Sequence, residues 1–131
     1  MFDEIKVIKL CEKYNINTIY LFGSYYDGTF TPGSDIDIAY LIYPGNHYCD
    51  HYNMYSDFKE IFKQEVDLVN IRKAKTTFAF HIIKYSKMIY DKNEEVRTDF
   101  EDVIIMKYLD FSVYNDVMNK EMASNFTGDA G

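Results

Sequence analysis

Thr18-Ile19-Tyr20-Leu21-Phe22 is almost continuously apolar, and a run of that length predicts a strand buried on both faces of a helix-covered sheet. A second strand is predicted from Asp35 to Ile42, where Ile36, Ile38 and Tyr40 alternate with Asp35 and Asp37. Val66-Asp67-Leu68-Val69-Asn70-Ile71 reads as a third strand, with Val69 and Ile71 on the side of Asp67, and Met88-Ile89-Tyr90 as a short edge strand. Helical spacing fills the intervals. With Asp3 as its N-cap, a first helix runs to about Tyr14 and is expected to bury Phe2, Ile5, Ile8 and Cys11; Asn15 and Asn17 break it. Tyr52, Tyr55, Phe58 and Phe62 mark a second helix, and Phe78, Ile82 and Tyr85 the core stripe of a third over about Thr76 to Tyr85. Pro32-Gly33 and Pro44-Gly45-Asn46 are turn signals on either side of the second strand. A long last helix is expected from about Asn93 to Asn119. Val96, Phe100, Val103, Ile104 and Phe111 supply one face, and Ile105, Met106, Leu109 and Val113 widen the apolar surface beyond a single stripe. Such width fits either a partner interface or internal packing on two sides. The fold class is α/β (α+β), a mixed sheet packed with helices.

Length turns this pattern into one domain, since 131 residues suffice for one compact unit and not for two ordinary ones. Residues 1–121 are expected to form it, and the small, polar stretch over 122–131 to be a disordered tail. A hydrophobic share of 47% supports a substantial core. The net charge of -7 repels a phosphate backbone, which argues against extended nucleic-acid binding and favours a basic protein partner. Two cysteines, Cys11 and Cys49, are too few for a disulfide framework, and no apolar run has the length of a membrane span. A cytoplasmic location is the expectation, with no membrane partner.

The candidate chemistry lies at the strand ends. Asp35 and Asp37, one residue apart on a strand, point to the same face, and Asp67 at the start of the third strand is the best candidate for a further carboxylate beside them. Magnesium prefers hard oxygen ligands, so three such acids suit a two-ion site that also takes triphosphate oxygens. Gly23 lets backbone approach a phosphate closely and Ser24 opens a short turn or helix after the first strand. Blander roles are a solvated strand end or turn cap for the acids, a cap for Ser24 and strain relief for Gly23; the joint placement favours the nucleotide reading. His47, Cys49, Asp50 and His51 contain metal-ligating types but lack a zinc pattern, and read as a loop entering a helix. His81 reads as a surface or packing residue, because no nucleophile accompanies it in sequence. Arg72, Lys73 and Lys75 read as a solvated helix start, with contact to phosphates or to an acidic patch on a partner as the other possibility.

These residues, Gly23-Ser24, a spacer, Asp35-Ile36-Asp37 and Asp67, resemble the nucleotidyltransferases related to DNA polymerase beta. Within that superfamily the chain looks most like the minimal nucleotidyltransferase (MNT) antitoxins paired with HEPT-domain toxins. Lys87-Met88-Ile89-Tyr90-Asp91, Glu95, Arg97, Phe100-Glu101 and Tyr108-Leu109-Asp110-Phe111 carry the likeness to roughly residue 120. The resemblance implies a small polymerase beta-like nucleotidyltransferase domain, ATP as co-substrate and two magnesium ions held by Asp35, Asp37 and Asp67. It further implies distal phosphates held by Gly23 and Ser24, transfer of AMP to a tyrosine of a cognate HEPT toxin, and a hetero-oligomer with that toxin. Tyr25-Tyr26-Asp27-Gly28 departs from the family, where small and basic residues commonly follow Gly-Ser. A non-catalytic antitoxin that acts by binding, and a small-molecule nucleotidyltransferase of the aminoglycoside type, are the alternatives.

Overall fold

The computed structural model describes residues 2–29, 31, 33–45 and 49–110. Helix α1 (Glu4–Tyr14) is capped by Asp3, whose side chain accepts from the amides of Ile5 and Lys6, and it ends at Asn15 in the left-handed conformation. Strand β1 (Ile16–Phe22) is buried along its whole length and leads into the short helix α2 (Ser24–Asp27). Strand β2 (Ile36–Ile42), helix α3 (His51–Phe62), strand β3 (Val66–Asn70), a 3-10 turn (Ile71–Lys73), helix α4 (Thr76–Lys84) and strand β4 (Lys87–Asp91) follow. A last helix, α5, spans residues 94–110; the rest of the expected helix, with Phe111, Val113 and the 122–131 tail, lies outside the described residues.

The four strands line up in the order β3-β2-β1-β4. β1 pairs antiparallel with β2 and with β4, whereas β2 and β3 are parallel, so the sheet is mixed as expected and β4 takes an edge. Alternation along the strands divides the core in two. Ile19, Leu21, Ile36, Ile38, Tyr40 and Leu68 meet α1 and α3 on one face. Tyr20, Phe22, Ala39, Leu41 and Ile71 meet Ala79, Ile82 and Ile104 of α4 and α5 on the other. The double coverage accounts for the unbroken apolar run of β1.

Three helices turn differently from the expected stripes. On α1, Val7, Leu10 and Cys11 are buried while Ile5 and Ile8 are exposed. The stripe through Ile5 and Ile8 runs on to Glu12, whereas that through Val7, Leu10 and Cys11 runs on to Tyr14, so the second excludes more water. Phe2 still packs on this core, its ring 5.1 Å from that of Phe62. On α3, Met54 is buried with Phe58 and Phe62, and Tyr52 is exposed. On α4, Ala79 and Ile82 face the sheet while Phe78 and Tyr85 stay largely exposed, because the small Ala79 side chain lets the helix lie close to the strands.

A polar network ties α5 to the sheet. Arg97 donates from Nε to Asp91 Oδ2 and from NH1 to Glu101 Oε1, both at 2.8 Å, and its side chain is 16% exposed. Thr18 donates to the other Asp91 oxygen, and the buried Tyr20 hydroxyl donates to Glu101 Oε2. Burial, followed by the Glu101 carboxylate, drives the Tyr20 phenol far above its ordinary pKa, which keeps it a donor.

Candidate active site

The chain places its acids at one end of one sheet face. Asp37 belongs to the same alternating set as Ala39 and Leu41, which meet α4 and α5, and Asp35 precedes β2 by one residue. Asp67 is the direct partner of Asp37 in the parallel β2–β3 register, and strand neighbours lie about 4.8 Å apart. The Ile36 amide bonds to the Glu65 carbonyl at 2.9 Å, which locks the two strand starts side by side. All three carboxylates expected from the sequence are therefore brought to one place on the backbone.

Gly23 completes this end of the sheet from β1, where Phe22 pairs with Asp37. Its φ of 66° and ψ of -137° lie in a region that side-chain-bearing residues avoid. A Cβ at Gly23 would also sit 2.0 Å from Asp37 Oδ2. Two independent constraints thus demand glycine here, and both exist to let the turn lie against the central carboxylate. Ser24 starts α2 directly after it, and the amides of Tyr26 and Asp27 bond to the Gly23 carbonyl.

Electrostatically the site is a concentration of negative charge. Burial first, then the charges of Asp67 and Asp35, raise the Asp37 carboxyl above the usual carboxylate range. No ion pair among the described residues involves any of the three acids. Among those residues no group of three or more His, Cys, Asp or Glu is gathered closely enough to cage a metal by itself. The donor set nevertheless fits magnesium, which accepts a few carboxylate oxygens and fills its remaining positions with water and phosphate oxygens.

Other expected features find their places. Asp27 Oδ1 accepts from the Thr29 amide at 3.0 Å and the Thr29 hydroxyl at 2.6 Å, and these bonds hold its carboxyl below the usual range. Arg72 donates from Nε and NH2 to the Ile42 carbonyl and lies 5.3 Å from the Phe100 ring centre. Ile42 ends the strand near whose start Asp37 lies, about 17 Å away at strand rise, so Arg72 does not serve the acids. Cys49 and His51 Nδ1 both meet the Tyr40 hydroxyl, and Asp50 caps α3 through the Asn53 amide, in keeping with a loop entering a helix; His47 lies outside the described residues.

One feature was not legible in the chain. Gly23, Tyr26, Asp27, His81 and Tyr85 line a cavity of about 230 Å³ that adjoins the site through Gly23, the residue that abuts Asp37. The His81 and Tyr85 rings are 5.0 Å apart and those of Tyr26 and Tyr85 6.4 Å apart. His81 and Tyr85 sit four residues apart, one helical turn, but their meeting with the loop after β1 depends on how α4 crosses the sheet.

Known proteins resemble this chain in sequence and in fold. The family described as Polymerase beta, Nucleotidyltransferase matches residues 5–95. Protein adenylyltransferase MntA of Shewanella oneidensis is 30% identical over 95 residues, which span 71% of this chain and 68% of MntA. A crystal structure of a toxin-antitoxin with AMP-PNP superposes with a TM-score of 0.72 at 26% identity, covering 92% of this chain and 98% of the other. The fold is likewise that of a chain in a complex of a tri-AMPylated Shewanella oneidensis HEPN toxin with an MNT antitoxin. There the TM-score is 0.66 at 24% identity, with 91% and 94% covered. The chain therefore belongs to the polymerase beta nucleotidyltransferase family and, within it, to the minimal nucleotidyltransferase antitoxins.

Proposed function

We propose that this nucleotidyltransferase moves AMP from ATP to a tyrosine hydroxyl on a cognate toxin, of the kind called HEPT above and HEPN in the relative's complex, and so neutralises it. In this reaction the phenol oxygen bonds to the α-phosphorus, the bond to the β-phosphate bridging oxygen breaks, pyrophosphate departs and the phenol proton passes to water. The observation that carries the reading is the register of Asp37 with Asp67, one strand from a glycine that only fits because it has no side chain. Asp35, Asp37 and Asp67 would hold magnesium, which when bound supplies charge neutralisation and lowers the acceptor's pKa. Gly23 and Ser24 would receive the distal phosphates, since the bare Gly23 backbone allows close approach. AMP-PNP in the complex of a similar chain, and the AMPylated toxin in another, support ATP and a toxin as the two substrates.

The toxin's seat is proposed on α5. Val103, Met106 and Leu109 are 48%, 65% and 53% exposed at helical spacing, while Ile104 turns inward at 8%. Of the two roles for the wide apolar surface, this part suits the partner.

Intact mass of the toxin after incubation with the protein, ATP and magnesium tests the proposal. A gain in whole AMP units that disappears with Asp35→Ala/Asp37→Ala is expected. A second reading, neutralisation by binding alone, is favoured by the anionic Asp27 beside the cavity. It predicts that the double variant still neutralises an unmodified toxin.

A further inference from the structure

A triphosphate lying against Gly23 carries several negative charges, and the turn that receives it offers hydroxyl donors but no cationic side chain. Ser24, Tyr25, Tyr26 and Asp27 include no cation, and Asp27 is an anion whose charged form is stabilised by Thr29. A nitrogen donor stands on another element. Gly23 abuts Asp37 Oδ2 on one side and on the other lines the cavity that also holds His81 and Tyr85 of the α4 end. A nucleotide with its α-phosphate at the acids and its tail passing Gly23 would place its terminal phosphates in that cavity.

We propose that His81 contacts the terminal phosphates of the nucleotide beside Ser24, so that α4 supplies the nitrogen donor able to carry positive charge that the side chains of the Gly23–Asp27 turn lack. The inference rests on the nucleotide reading of Gly23, Asp35 and Asp37 given above. An imidazole donates N–H in either tautomer and carries a full positive charge when protonated, so it binds phosphate oxygens in both states. His81 is exposed, and its ring packs 5.0 Å from Tyr85, which limits its freedom before the ligand arrives. The Lys84 ammonium lies 5.3 Å from the centre of the same Tyr85 ring, one residue before Tyr85 on α4 and outside the cavity lining. Asp27 opposes them from α2, although its Oδ1 is engaged by Thr29. The Tyr26 ring also lines the cavity, 6.4 Å from Tyr85. The result is a specificity device: a nucleoside triphosphate reaches His81, whereas a monophosphate seated at the acids does not.

The test measures dissociation constants of ATP and AMP, with magnesium, for the full chain and its His81→Ala and His81→Lys variants. His81→Ala is expected to weaken ATP by about 5- to 20-fold, the scale of one solvent-exposed hydrogen bond to a charged group, and to leave AMP within twofold. His81→Lys should recover most of the ATP affinity, a rescue that a packing role would not produce. Equal weakening of ATP and AMP would assign His81 to the base or sugar and overturn the proposal, as would ATP binding that ignores His81→Ala. Asp35→Ala/Asp37→Ala serves as the second arm. If it leaves ATP binding untouched, or if the unaltered chain binds no ATP, the nucleotide reading itself fails and the inference with it; if only the His81 variants are silent, the inference alone fails.

Discussion

Asp37 is the residue on which the site turns, because its environment favours function at the expense of the fold. Its carboxyl is raised first by burial and then by Asp67 and Asp35. The native state therefore binds the Asp37 proton more tightly than the unfolded chain does, and stability is lost as pH rises through the raised value. Below the unfolded value both states are protonated and the penalty is gone. Asp37→Asn is accordingly expected to raise the thermal midpoint in magnesium-free buffer at neutral pH by roughly 1–4 °C, screening by solvent keeping the gain small. The gain should shrink as the pH falls into the carboxylate range, and magnesium should stabilise the parent more than the variant. Melting curves across pH, with and without magnesium, check both parts. At Gly23 the opposite is expected. Gly23→Ala forces a left-handed backbone on a side chain and drives its methyl into Asp37, at a cost of about 1–3 kcal/mol. Toxin adenylylation should fall at least about 100-fold, since a displacement of about 1 Å at the reacting centre costs that much. Chemical denaturation and a single-turnover assay separate the two effects.

Among the elements, α5 is fastened to the sheet by charge rather than by a wide apolar stripe. Arg97 joins Asp91 at the end of β4 to Glu101 on its own helix, and Thr18 and Tyr20 of β1 take up the remaining carboxylate oxygens. Removing the guanidinium leaves two poorly solvated carboxylates facing each other. Arg97→Ala should therefore cost about 3 kcal/mol, readable as a lower urea midpoint with an unchanged slope. In the sequence Arg97 and Glu101 stand out only through family likeness, because pairs between residues of different elements leave no periodic trace. The helix stripes show the same limit from the apolar side. On α1 two stripes compete in the sequence, and only the approach of α3 and the sheet selects Val7, Leu10 and Cys11 over Ile5 and Ile8.

At the scale of the molecule, the proposed chemistry and the proposed toxin seat fall on different parts of the α4–α5 side. The acids sit at the starts of β2 and β3, and the exposed Val103, Met106 and Leu109 lie on the helix beside α4. Their acidic neighbours Asp99, Asp102 and Asp110 are exposed as well and suit a basic rim on the toxin. Met106→Glu is expected to weaken the toxin complex by at least about tenfold without changing ATP affinity. Calorimetry with each ligand in turn checks this, and equal affinity for the toxin would remove α5 from the interface.

What the sequence determined by itself is whatever repeats or abuts locally: four strands from their apolar runs, most helix limits from caps and turns, and the nucleotide motif from Gly23-Ser24 and Asp35-Ile36-Asp37. Period-two alternation sufficed to put Asp35 and Asp37 on one face, because a strand leaves its side chains no other choice. Only the tertiary structure decided that β3 lies parallel to β2 with Asp67 opposite Asp37, that Gly23 must be bare because Asp37 stands against it, and that His81 faces the same turn. Those are contacts between segments distant in the chain. Strand order and helix crossing create them, and neither is encoded in the spacing of residues along any one element.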